Sequence, residues 1–134
     1  MPVADPQAPS GQSAASPCVL VVEDSRTLRV LTAKFLERHG YNVLVAANAD
    51  EARRALAGNV LIDVLLTDVV LPGASGPELT SRLMEQFPRL KVVYMSGHSD
   101  EAVIQQGVRA GIPFLYKPFT PEALARTIQN VLKQ

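Results

Sequence analysis

The chain of 134 residues has no tryptophan, one cysteine and no excess of either charge, and each shortage removes a class of explanation. A single cysteine, Cys18, excludes an internal disulfide, and its place at the head of a β-branched run suits a small buried hydrophobe better than a redox group. Thirteen basic and thirteen acidic residues leave a formal charge of zero, so there is no electrostatic footprint for nucleic acid. Long apolar stretches are also missing. The longest, Leu61 to Leu71, is interrupted by Asp63 and Asp68 and falls short of the ~20 residues of a membrane span. The start, Met-Pro-Val-Ala-Asp-Pro, has neither a basic segment nor an apolar core of a leader, so a cytoplasmic location without membrane contact is expected.

Residues 1–17 hold four of the ten prolines, several Ala and Ser, and no apolar periodicity. Such a stretch cannot bury enough surface to offset its ordering entropy, and it reads as a tail or linker ahead of one domain over 18–134. That domain has room for a core needing no staples. Strands are expected at about 18–23, 42–46, 61–67, 90–95 and 112–116. Several are apolar at every position, as in Val-Leu-Val-Val after Cys18, which suits parallel strands covered on both faces. Between them, Leu28, Leu31 and Phe35 mark one helix and Leu79, Leu83 and Phe87 another, while Leu124, Ile128 and Val131 mark the last. Ala49-Asp50-Glu51-Ala52 with the stopping Gly58 indicates a helix at about 49–57, and a further one is expected at about 100–109. Thr120-Pro121-Glu122 supplies the last helix with a cap, a first-position proline and an early acid. Five strands alternating with five helices give a flavodoxin-like (βα)5 sandwich with a parallel sheet of order 2-1-3-4-5.

In such a sheet ligands bind outside the carboxyl ends of the strands, and four of the expected ends carry chemistry. Glu23-Asp24 follows the first strand, Asp68 the third, Ser96 closes the fourth, and Lys117-Pro118 follows the fifth. Asp24 and Asp68, with Glu23 holding a water, suit Mg²⁺, a hard ion that takes one or two carboxylates and keeps several waters. Taken singly, these residues have plainer uses. Glu23-Asp24-Ser25 can cap the first helix, Asp68 a turn before Pro72-Gly73, and Lys117 can be a surface lysine. Together, acids at adjacent strand ends after β-branched runs are costly unless a cation compensates.

Val21-Val22-Glu23-Asp24-Ser25, Leu66-Thr67-Asp68-Val69-Val70-Leu71-Pro72-Gly73, Tyr94-Met95-Ser96-Gly97-His98 and Tyr116-Lys117-Pro118-Phe119 together resemble the receiver domain of two-component response regulators. The resemblance covers residues 18–133. It implies Asp68 as phosphoacceptor from a histidine kinase or a histidine phosphotransfer protein. It implies Mg²⁺ among Glu23, Asp24, Asp68 and the carbonyl of Val70, with Ser96 as switch hydroxyl and Lys117 as phosphoryl contact. Phe114, three before Lys117, becomes the switch aromatic, and an output partner is expected on the fourth helix, fifth strand and fifth helix. Val70 is apolar where many relatives carry a polar group, and His98 is bulky and titratable, so both are candidates for setting phosphoryl lifetime. His39 before Gly40 reads as a helix C-terminal cation.

Two other functions compete. Haloacid-dehalogenase-type phosphatases also form an aspartyl phosphate but want a second acid two residues after the nucleophile, where this chain has Val70. A pseudo-receiver that only docks partners usually lacks an acid or the lysine, and this chain keeps them. No DNA-binding or enzymatic pattern is visible after the last expected helix. A free-standing shuttle and a receiver attached to a hybrid histidine kinase both remain open, the string Met95-Ser96-Gly97-His98-Ser99 and the stretch 120–132 resembling the latter.

Overall fold

The computed structural model describes residues 16–57, 61–97 and 111–134; residues 1–15 of the tail expected over 1–17, His98 and the helix expected at about 100–109 lie outside them. The elements are β1 (Cys18–Val22), α1 (Arg26–Arg38), β2 (Asn42–Ala46), α2 (Ala49–Ala55), β3 (Val64–Asp68), α3 (Gly76–Gln86), β4 (Lys91–Ser96), β5 (Phe114–Tyr116) and a C-terminal helix (Pro121–Leu132). The five strands form one sheet of order β2-β1-β3-β4-β5 with every pair parallel, which is the flavodoxin-like winding expected. A small antiparallel hairpin between β3 and α3 pairs Val70 with Ser75 and Leu71 with Ala74.

The continuous apolar runs are explained by the two faces. Val19 and Val21 point into one cluster with Val64, Leu66, Val93 and Met95, covered by Leu36 of α1 and Leu124, Ile128 and Val131 of the C-terminal helix. Leu20 and Val22 point into the other with Leu65 and Tyr94, covered by Ala52 and Leu56 around α2 and by Leu79 and Leu83 of α3. Every position of β1 from Val19 to Val22 is therefore buried, and alternation with polar residues would fail on either face. Half-buried Cys18 packs against the second cluster.

Side-chain caps start the helices. Ser25, Asn48, Ser75 and Thr120 each accept a backbone N–H from the first turn, and Ser75 completes a reciprocal capping box with Glu78. At the other end of α1, His39 caps the helix, its Nδ1 lies 3.1 Å from the Phe35 carbonyl oxygen, and Gly40 follows at a φ of 89°.

Two strand boundaries shift. β3 begins at Val64 and ends on Asp68, because Leu61 is exposed and Asp63 leaves the strand pattern to bind the head of β1, its Oδ2 accepting the Cys18 N–H at 2.8 Å. β5 opens at Phe114, two residues later than expected, after Gly111 takes a φ of 78°. The helix expected from Leu28, Leu31 and Phe35 forms as α1, with Thr32 and Leu36 buried, Phe35 packed half-buried against the first cluster and Leu31 59% exposed. Leu28, Leu31 and Phe35 also line an open groove, with Phe119 and Leu124, against the start of the C-terminal helix.

Candidate functional site

The expected chemical residues gather at the carboxyl edge because the parallel ladder delivers them there. Glu23 N–H donates to the Ala46 carbonyl at 3.0 Å, Val69 N–H to Met95 at 3.0 Å and Lys117 N–H to Ser96 at 2.8 Å, so each strand end stays in register as the chain leaves the sheet. Glu23, Asp68 and Ser96 are buried, Asp24 is exposed, and the Lys117 side chain is 28% exposed.

Lys117 crosses the edge from β5 to reach two acids. Its Nζ lies 2.6 Å from Asp68 Oδ1 and 2.7 Å from Glu23 Oε1. These are ion-pair distances, and the buried Asp68 Oδ2 has no hydrogen-bond partner. The second Glu23 oxygen accepts the Ser25 N–H at 2.9 Å. Glu23 thus serves both the helix start, the plainer use its sequence position offered, and the lysine.

Two buried carboxyls around one ammonium crowd negative charge, and the crowding acts on each differently. Burial, joined by the neighbouring Glu23 and opposed by Lys117, raises the Asp68 carboxyl to about 7. Burial also acts on Glu23, but Lys117, the Asp68 carboxyl and the Ser25 amide outweigh it and hold Glu23 below the usual range. Lys117 is desolvated yet held above its ordinary value by the same two acids.

Carboxylate oxygens of Glu23, Asp24 and Asp68 lie within 4.8 Å of one another. The donor set is all oxygen, one member faces solvent, and a buried Asp68 oxygen lacks a partner, which together fit a hard divalent cation that retains waters. Val70 stands at the rim, 58% exposed, in the hairpin just after Asp68. The Ser96 hydroxyl donates to the Gly97 carbonyl at 2.9 Å. Phe114 is half-buried, its ring 5.5 Å from that of Tyr94 and 6.1 Å from that of Tyr116, while the Tyr94 hydroxyl bonds the Thr80 hydroxyl at 3.3 Å. The cavity of about 500 Å³ between α2 and α3 is lined by Asn48, Arg53, Pro72 and Arg82, and by none of the strand-end groups.

Sequence reasoning missed the groups that hold the site from behind. Arg29 of α1 donates to the carbonyls of Glu23 at 2.8 Å and Asp24 at 3.4 Å, and Thr67 Oγ1 donates to the Asp68 carbonyl at 3.0 Å. The signal for Arg29 was its place near a helix N-terminus that carries no acid, where the dipole disfavours a cation without a specific partner. Gly76, the first residue of α3, packs on the Asp68 carbonyl.

Residues 19–129 match the family model of the response regulator receiver domain. The chain belongs to that family. It is 34% identical over 123 residues to the sensor kinase CckA of Brucella abortus, covering 89% of this chain and 13% of that protein. It is 37% identical over 114 residues to the phosphate regulon transcriptional regulatory protein PhoB of Rhizobium meliloti, covering 82% of this chain and 50% of the relative. The chain thus spans half or less of these relatives. A crystal structure of a response regulator receiver domain protein from Clostridium thermocellum superposes with a TM-score of 0.79 at 28% identity, covering 87% of this chain and 94% of that one. Receiver domains are phosphoacceptors of two-component signalling, and the acid cluster at the sheet edge is where this receiver offers carboxylates. Among the described residues no helix is long and apolar enough to cross a membrane.

Proposed function

We propose that Asp68 takes a phosphoryl group from a phosphohistidine on a histidine kinase or histidine phosphotransfer protein, and that the modified domain signals through its surface. The observation that carries this reading is the Asp68 carboxylate, buried at the strand end, paired through Oδ1 with Lys117 and left with an unpartnered Oδ2 beside two further acids. An Asp68 oxygen attacks phosphorus in line, the P–N bond breaks, and the imidazole departs with its electron pair. Lys117 neutralises charge on the transferring oxygens, so the domain's contribution is mainly positioning and electrostatics, and the domain catalyses its own modification.

Glu23, Asp24, Asp68 and the Val70 carbonyl would hold Mg²⁺, which when bound supplies the positive charge needed to keep Asp68 ionised and to offset the incoming phosphoryl oxygens. After transfer, the Ser96 hydroxyl turns from the Gly97 carbonyl toward the new oxygens, and Phe114 moves into the space released. The output face is then the expected fourth helix, β5 and the C-terminal helix. Val70, which is exposed, and His98 set how readily water reaches the phosphoaspartate.

The hydrolase reading is disfavoured by Val70, which offers no acid at the rim, and a docking-only role is disfavoured by the intact pair of acids and lysine. Incubation with acetyl phosphate and Mg²⁺ should add one base-labile phosphoryl group by intact mass. Asp68→Asn should remove it, and an Asp68→Asn protein modified at the wild-type rate would defeat the assignment.

A further inference from the structure

We infer that Gly76 is a positioning residue for the phosphoryl site, an inference that rests on the reading of Asp68 as acceptor. A methyl group placed on Gly76 would lie 2.3 Å from the Asp68 carbonyl oxygen, 3.2 Å from its carbonyl carbon and 3.1 Å from Val69 Cα. All three are backbone atoms, so no side chain can swing aside. The Gly76 N–H also donates to the Val69 carbonyl at 2.7 Å, a short bond that draws the start of α3 onto the peptide following Asp68.

The consequence reaches two groups at once. Gly76 sets where the Asp68 backbone sits at the end of β3, and with it the Asp68 carboxylate. Its bond to Val69 also closes the chain around the hairpin in which Val70 pairs with Ser75, so the Val70 carbonyl is placed by the same contact. The Thr67 hydroxyl donates to the same Asp68 carbonyl oxygen at 3.0 Å. The oxygen thus meets both a hydroxyl and a hydrogen-only α-carbon. A side chain at residue 76 must push α3 or the Asp68 peptide by close to an ångström to reach ordinary contact, and displacements of that size at a reacting group are costly to rate.

The test compares Gly76→Ala with Leu79→Ala, which opens the core one turn further along α3 and leaves the Asp68 peptide untouched. Mg²⁺ affinity is read by amide-shift titration, and phosphorylation rate at saturating acetyl phosphate by intact mass. Gly76→Ala should weaken Mg²⁺ binding and slow phosphorylation by about tenfold or more, as supporting-shell changes do. Leu79→Ala, though less stable, should stay within about twofold of wild type in both. Wild-type affinity and rate in Gly76→Ala would overturn the inference, as would equal losses in the two variants.

If the amide spectrum shows Gly76→Ala to be unfolded, Thr67→Val carries the test. It removes the donor from the same oxygen, and should weaken Mg²⁺ binding by about threefold. Unchanged binding would then overturn the inference. Failure of the underlying reading looks different, because Asp68→Asn would then be phosphorylated like the wild type while the Mg²⁺ comparison stayed readable.

Discussion

The Lys117 ammonium and the Asp68 carboxylate meet at 2.6 Å although they leave strands that are not neighbours, β4 lying between β3 and β5 in the sheet. The lysine spans that gap and also reaches Glu23 on the far side of Asp68. One partly exposed cation therefore restrains two buried anions, and its removal strands both.

Lys117→Ala should accordingly destabilise the metal-free protein by about 1–3 kcal/mol at pH 8, less than a fully buried pair because the lysine side chain is 28% exposed. Millimolar Mg²⁺ should restore most of that loss, while the response to phosphorylation stays impaired. Chemical denaturation with and without Mg²⁺ reads both effects.

A raised acid titrates with a definite sign. Between the ordinary carboxylate range and about 7, folded Asp68 holds a proton that the unfolded chain has lost, so stability falls as pH rises through this window. Glu23 is held low and Lys117 high, which places their transitions outside it. Metal-free wild type should lose on the order of 2 kcal/mol between pH 5 and pH 8, and Asp68→Asn should flatten the profile and be the more stable protein at pH 8. A flat wild-type profile would remove the charge crowding from the account.

Mg²⁺ should stabilise the wild type by mass action, about 1.4 kcal/mol at ten times its Kd. Asp24→Asn should weaken that gain while raising metal-free stability. A melting temperature indifferent to millimolar Mg²⁺ would count against the three-acid cluster.

Much of this arrangement was legible in the sequence because its signals are local. Uninterrupted β-branched runs specify strands covered on both faces, and a polar residue that ends such a run must sit at the edge. Asp68 closes β3 and Ser96 closes β4 in this way. Caps are local too, as Thr120 with Pro121 shows. A helical stripe records spacing and not what covers it: Leu28, Leu31 and Phe35 located α1, yet Leu31 stands 59% exposed beside the C-terminal helix. Gly76 and Arg29 escaped because their partners are backbone carbonyls, which carry no residue identity in the sequence.

Phe114 packs between Tyr94 and Tyr116, with Tyr94 tied to α3 through Thr80. If Phe114 transmits the phosphoryl state, Phe114→Ala should preserve phosphorylation of Asp68 yet shrink the amide-shift difference between free and beryllofluoride-bound protein on β5 and the C-terminal helix. Equal differences in the two proteins would reduce Phe114 to packing.

Residues 2–15 offer no apolar face, and deleting them should leave both stability and phosphorylation unchanged. Ser16 and Pro17 should be kept, since their carbonyls accept hydrogen bonds from Asn42 at 3.3 Å and 2.9 Å at the start of β2. A loss of several kcal/mol on deletion would place the boundary earlier in the chain.

The central claim is that the phosphoryl group is carried by Asp68 itself. Borohydride reduces an aspartyl phosphate to homoserine, so treating the acetyl-phosphate-modified protein and sequencing its peptides locates the modified residue directly. The account predicts homoserine at position 68 alone, dependent on Mg²⁺ and slowed when Lys117 is replaced. Homoserine at any other acid, with Asp68 recovered intact, would contradict it.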